Sequence, residues 1–214
     1  GDTESIEVGA ESIEVGAGKG RDTERVRSWH VLIIVGLPGD EERRTRFNSI
    51  ARTWKDWLTG GLGVDRQHVT VLGGIEEGDD APATQEKIRH TVESLTQDLD
   101  RDDALWVFLL GHGSQDERHG WFHLPGPDMN EADWAGMFAE LKAGEQVFWL
   151  THSASGRFVK AFSLPGRVVI AATDDGEVNE TRFPEALATV TEKHDGASIT
   201  LLQLFRDAVD QVQR

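Results

Sequence analysis

The chain has 214 residues, with 22 Lys and Arg against 38 Asp and Glu, a formal charge of −16. So acidic a balance excludes a phosphate-backbone partner, which needs a basic stripe, and no nucleic acid is expected. The absence of cysteine excludes disulfides and thiolate metal sites, and no apolar stretch approaches the ~18–20 residues that span a bilayer.

Residues 1–28 read as a leader. They hold a perfect tandem duplication, Glu4-Ser5-Ile6-Glu7-Val8-Gly9-Ala10 followed by Glu11-Ser12-Ile13-Glu14-Val15-Gly16-Ala17. Two copies are too few for a solenoid. The alternation in Ser-Ile-Glu-Val suits either a short edge strand or a flexible leader.

Residues 29–214 read as one domain in which strands and helices alternate. His30 to Val35 is an apolar strand, and Glu41 to Leu58 is a helix with Phe47, Ile50, Ala51, Trp54, Trp57 and Leu58 at helical spacing. His68 to Leu72 is the second strand. Thr84 opens a helix to about Leu99, with Ile88, Val92, Leu95 and Leu99 on one face. Ala104 to Leu110 is the third strand, Trp121 to Leu124 part of a small hairpin, and Asn130 to Leu141 a helix. Val147 to Leu150 is the fourth strand, with a helix after Gly156, and Arg167 to Ala172 is the fifth. Helices at Phe183 to Val190 and Ile199 to Val212 close the chain. Strands this apolar are covered on both faces, which favours parallel pairing. Right-handed crossovers then give an α/β fold, a three-layer α/β/α sandwich with a mostly parallel central sheet.

Four strands end in small or polar residues, Gly36, Gly111, Thr151 and Thr173, so one composite cleft is expected at their carboxyl edge. Gly111-His112-Gly113 offers a histidine that a substrate can approach closely, and the Gly113 N–H is read as free to stabilise an oxyanion. Thr151-His152-Ser153-Ala154-Ser155-Gly156 offers Ser153 as nucleophile. A serine there needs a base oriented by a third group, and no Asp or Glu can be assigned that part. Ser153 and Ser155 equally suit hydroxyl capping of the next helix. His112, His119 and His123 cluster in the sequence, but the segment between them alternates as a strand does, so no metal and no cofactor is expected.

The two motifs together resemble the caspase/legumain-type cysteine peptidases, which place His-Gly after the third strand and a nucleophilic cysteine before Ser-Gly after the fourth. The likeness is closest to bacterial legumain-like members and runs from about Trp29 to Val212. Phe122-His123-Leu124-Pro125-Gly126-Pro127-Asp128, Pro165-Gly166-Arg167-Val168-Val169-Ile170-Ala171-Ala172-Thr173 and Glu177-Val178-Asn179-Glu180-Thr181-Arg182-Phe183 also fit it. The resemblance implies a caspase-like fold, His112 as catalytic partner and Ser153 in the place of the cysteine. It implies a substrate pocket lined by Arg46, with Asp174, Asp175 and Glu177 as an acidic wall.

A hydroxyl forms almost no anion near neutral pH, whereas a thiol of pKa ~8.5 is readily activated. The implied function is therefore a pseudopeptidase that binds a peptide or protein partner. The alternative is an endopeptidase captured as a Cys→Ser variant, or a weak serine-type peptidase using Ser153 and His112. A homo-oligomer through an edge strand is open to this fold, and a soluble protein, in the cytoplasm, is the expectation for location.

Overall fold

The computed structural model describes residues 28–74, 82–177, 179–194, 196 and 198–214; the tandem repeat and nearly all of the expected leader lie outside these residues. β1 (Trp29–Val35) leads through α1 (Glu41–Asp56) and a π turn at Trp57–Gly61 to β2 (Val69–Leu72), and α2 (Gln85–Asp98) then crosses to β3 (Ala104–Leu110). An excursion follows, made of β4 (Gly113–Gln115), β5 (Gly120–Phe122), β6 (Met129–Asn130) and α3 (Glu131–Met137). β7 (Glu145–Leu150), α4 (Gly156–Phe162) and β8 (Arg167–Ala171) complete the sheet, and α5 (Phe183–Lys193) and α6 (Leu201–Val212) close the chain.

The central sheet has five strands in the order β2-β1-β3-β7-β8, and each adjacent pair is parallel. Strand side chains alternate between two faces, and both faces are apolar. Val31, Ile33, Trp106, Phe108 and Trp149 share one core with α1, α5 and α6, through Trp54, Leu187 and Leu204 among others. Leu32, Ile34, Leu105, Val107 and Phe148 share the other with α2, α3 and α4, through Val92, Trp134 and Phe158. The result is the expected three-layer sandwich.

Local signals agree with this arrangement. The Asp40 side chain accepts from Arg43 N at 2.8 Å and caps α1, while Asn130 and Asp133 form a reciprocal capping box on α3. Two expectations are revised in detail. The helix expected to reach Leu141 ends at Met137, because Gly136 weakens it and Phe138 and Leu141 turn inward to the core. The hairpin at Trp121 is the middle of a three-stranded antiparallel sheet, β4-β5-β6.

The order of the strands places the site. β1 leads through α1 to β2 on one side, and the chain then returns through α2 to β3 on the other. The connections reverse between β1 and β3, and the crevice outside their carboxyl ends is where such sheets bind ligands. Gly36 follows β1 and Gly111 follows β3. Gly36 N donates to Leu110 O at 2.8 Å, closing the two exits against each other. A β-carbon on Gly36 would lie 2.6 Å from His123 O and 2.8 Å from the Phe122 ring, so this junction has room only for glycine.

At the opposite edge the buried Asp103 carboxylate accepts from Ser28 N at 3.1 Å, Ser28 Oγ at 2.6 Å and Asp100 N at 2.9 Å. It pins the start of β1 to the start of β3. Asp103→Ala should lower unfolding stability by about 3 kcal/mol, since several donors lose a shared acceptor. Urea titration should show a lower midpoint with an unchanged slope.

Candidate active site

Three loops meet outside the sheet, those after β1, β3 and β7. Thr151, at the end of β7, donates twice to Leu109 O, from its backbone N at 3.0 Å and its Oγ1 at 2.8 Å. The exit of β7 is thereby stitched to the exit of β3, which brings Ser153 to Gly113.

The Ser153 side chain is almost wholly buried, and its hydroxyl spans one peptide residue. Oγ accepts from Gly113 N at 2.9 Å and donates to Gly113 O at 3.0 Å. The expectation of a free Gly113 N–H is corrected here, because the serine oxygen occupies that donor. Its proton is also directed at a carbonyl and not at an imidazole. Ala154 follows with φ +58°, the one non-glycine residue among those described in the left-handed region. A non-glycine residue held there stores backbone strain of order 1–3 kcal/mol.

Ser155 does not cap α4 through its hydroxyl. Its Oγ accepts from Ala172 N at 3.0 Å and Thr173 N at 3.2 Å, and Gly156 N donates to Thr173 Oγ1 at 3.2 Å. The serine is a buried tie between the exits of β7 and β8. A β-carbon on Gly156 would sit 2.3 Å from the Asp174 carbonyl carbon, so close approach again demands glycine. Ser155 stands at the N-cap of α4, but neither serine hydroxyl makes the capping hydrogen bond that the sequence suggested.

His112 is half-buried, with its ring centroid 5.2 Å from that of Phe47. Burial lowers its pKa, Glu180 opposes this, Arg43 and Arg46 reinforce it, and a hydrogen bond to the Pro38 backbone acts with Glu180. Burial, the largest influence, therefore favours the neutral imidazole.

Arg46, Phe47, Gly111, His112, Ser153, Glu180, Thr181, Pro184 and Glu185 line the cleft, which encloses about 10 Å³ of free volume, room for one water at most. Arg46 lines the same cleft as His112 and Ser153. Asp174, Asp175 and Glu177 do not line it; all three are exposed, and Asp175 pairs with Arg157 at 2.9 Å. The acids that do line it are Glu180 and Glu185. Arg46 bonds Glu180 and reaches Glu185 at 3.2 Å, and Arg43 approaches Glu180 at 3.5 Å. These cations hold the Glu180 carboxyl below the ordinary range, the Arg46 hydrogen bond most of all.

His119 and His123 have separate partners. His119 Nδ1 lies 3.1 Å from Glu131 Oε1, and His123 Nε2 lies 2.9 Å from Ser114 Oγ. His152, unremarked in the sequence, is fully buried with its ring between Phe122 and Phe158, at 4.9 and 4.7 Å.

No protein-family model matches this chain, and no curated protein matches it by sequence.

Burial lowers the His152 pKa from 6.5 to about 4. Above pH 6.5 both the folded and the unfolded chain hold this ring neutral, and its contribution to stability is complete. Between pH 6.5 and 4 the unfolded chain takes up a proton that the folded chain refuses, so stability falls as pH falls, by on the order of 3 kcal/mol. Burial lowers the pKa of His112 and of His30 as well, which adds loss in the same direction. Denaturation midpoints across this window should show that slope, and His152→Asn should flatten it. Gly113→Ala should unfold the chain or strongly destabilise it, because a β-carbon would lie 2.3 Å from Ser153 O and 2.6 Å from Trp121 O. Thermal melting checks this.

Proposed function

We propose that this chain is a caspase/legumain-type peptidase-fold protein that binds a peptide or protein partner in the cleft between His112, Ser153 and Arg46 without cleaving it efficiently. The observation that supports this reading is the double hydrogen bond between the Ser153 hydroxyl and Gly113. It commits the proton of the would-be nucleophile to a carbonyl and fills the N–H that would receive an oxyanion. A hydroxyl without an aligned base is a poor nucleophile. The cleft would accept a partner side chain only after Glu180 swings away from Arg46, since the closed free volume is about 10 Å³. That movement costs little, because exposed ion pairs contribute about 0–1 kcal/mol each.

A second reading, an endopeptidase seen with serine in the cysteine's place, is favoured by His112. Its imidazole is favoured in the neutral form by burial and lines the same cleft as Ser153, as a functioning base needs to. One experiment addresses both readings. The unmodified chain, Ser153→Cys, and Ser153→Cys with His112→Ala are assayed for cleavage of a mixed peptide library. We expect no cleavage by the unmodified chain, cleavage by Ser153→Cys, and its loss when His112 is removed. Cleavage by the unmodified chain would overturn the pseudopeptidase reading. Three folded but inactive proteins would overturn the peptidase reading and leave binding alone.

A further inference from the structure

The most deeply buried titratable side chain at the site belongs to none of the roles above. His152 precedes the nucleophile position, and its Nδ1 lies 2.8 Å from the carbonyl oxygen of Ser153. A carbonyl only accepts, so Nδ1 carries the proton. Nε2 has no hydrogen-bond partner, and the ring packs against Phe122 and Phe158. A buried acceptor left unpaired is costly, and a leucine or phenylalanine would fill the same space without that cost. The bond that the ring does make therefore needs a purpose.

The surroundings of Gly113 supply one. The space that a β-carbon would occupy there is taken by Ser153 O at 2.3 Å and His152 Nδ1 at 2.8 Å. Both atoms of the His152–Ser153 hydrogen bond thus crowd that space beside Gly113, while the Ser153 side chain reaches the Gly113 N–H. The carbonyl that accepts this bond belongs to the peptide leading into the left-handed Ala154.

We propose that His152 is a positioning residue. Its neutral Nδ1–H holds the Ser153 carbonyl against Gly113, so that the side chain at position 153 meets the Gly113 N–H. The inference rests on the reading of position 153 as the nucleophile position. It concerns how that position is held in place, whatever side chain stands there.

The chain contains no cysteine, so Ser153→Cys carries a single thiol whose alkylation by iodoacetamide reads position 153 alone. A thiolate aligned with the Gly113 N–H is stabilised by it, and the midpoint of the pH–rate profile reports that alignment. In this background His152→Leu should raise the midpoint by about one unit, a ten-fold loss of thiolate at lower pH. His152→Asn, which keeps a donor near the Nδ1 position, should restore most of it. A folded His152→Leu protein with the parent midpoint overturns the proposal. Failure of His152→Asn to restore the shift overturns it too, since it would assign the ring to packing. His112→Ala in the same background tests the peptidase reading separately: a midpoint that ignores His112 but follows His152 would sink that reading and not this one. Should His152→Leu fail to fold, nitrogen chemical shifts of the unmodified chain decide the matter. A neutral ring protonated on Nδ1 at pH 6 is expected, and a proton on Nε2 would overturn the assignment.

Discussion

β3 has no free side. Its seven residues are all buried, and it is hydrogen-bonded along both edges, to β1 and to β7. Large side chains fill both faces, Trp106 and Phe108 on one, Leu105, Val107 and Leu109 on the other. A strand used in this way can offer polar groups only beyond its ends. At the carboxyl end, the last two carbonyls are claimed by its neighbours: Leu110 O by Gly36 N, Leu109 O by Thr151. The loops carrying His112 and Ser153 are therefore fixed by main-chain geometry before any side chain at the site takes part. Rigid support of this kind is what a binding or catalytic constellation requires.

The reversal of the chain between β1 and β3 decides which loops share that place. It also explains what the sequence could and could not reveal. Gly111-His112-Gly113 and the segment from Thr151 to Gly156 were legible because each follows a run of four or more apolar residues and ends it with small, polar ones. Arg46 was reached through resemblance to a peptidase family. Glu180 was missed as a cleft residue, since its place depends on how the loop after β8 folds back over α1, and nothing in its spacing marks that. His152 was missed because its box has one wall from β5, Phe122, and another from α4, Phe158, which no local pattern relates. The fold itself was almost wholly legible, because strands buried on both faces leave an unbroken apolar signature.

Oxygen and sulfur differ at position 153 in more than acidity. A hydroxyl donates and accepts with comparable ease, which lets Ser153 satisfy both polar groups of Gly113 at 2.9 and 3.0 Å. A thiol donates weakly, so it would leave the Gly113 carbonyl poorly served. A thiolate could only accept, and the Gly113 N–H would then stabilise the reactive form. The same backbone thus rewards the resting state of a serine and the reactive state of a cysteine. This follows from hydrogen-bonding capacity alone, and it makes the serine here self-satisfied in a way that a cysteine would not be.

The electrostatics of the cleft point the same way. The chain carries a charge of −16, yet two arginines three residues apart on α1, Arg43 and Arg46, bear on His112, and both pair with Glu180. Partly exposed pairs of this kind add little to stability, so their importance lies in the local potential. Their charges lower the His112 pKa, Glu180 raises it, and burial, the largest influence, decides the outcome in favour of the neutral ring. A neutral imidazole is the form able to take up a proton. The Ser153 hydroxyl in this cleft instead donates its proton to Gly113 O. The ring is thus held in the form that can accept a proton, while the Ser153 hydroxyl is bonded to the Gly113 backbone instead.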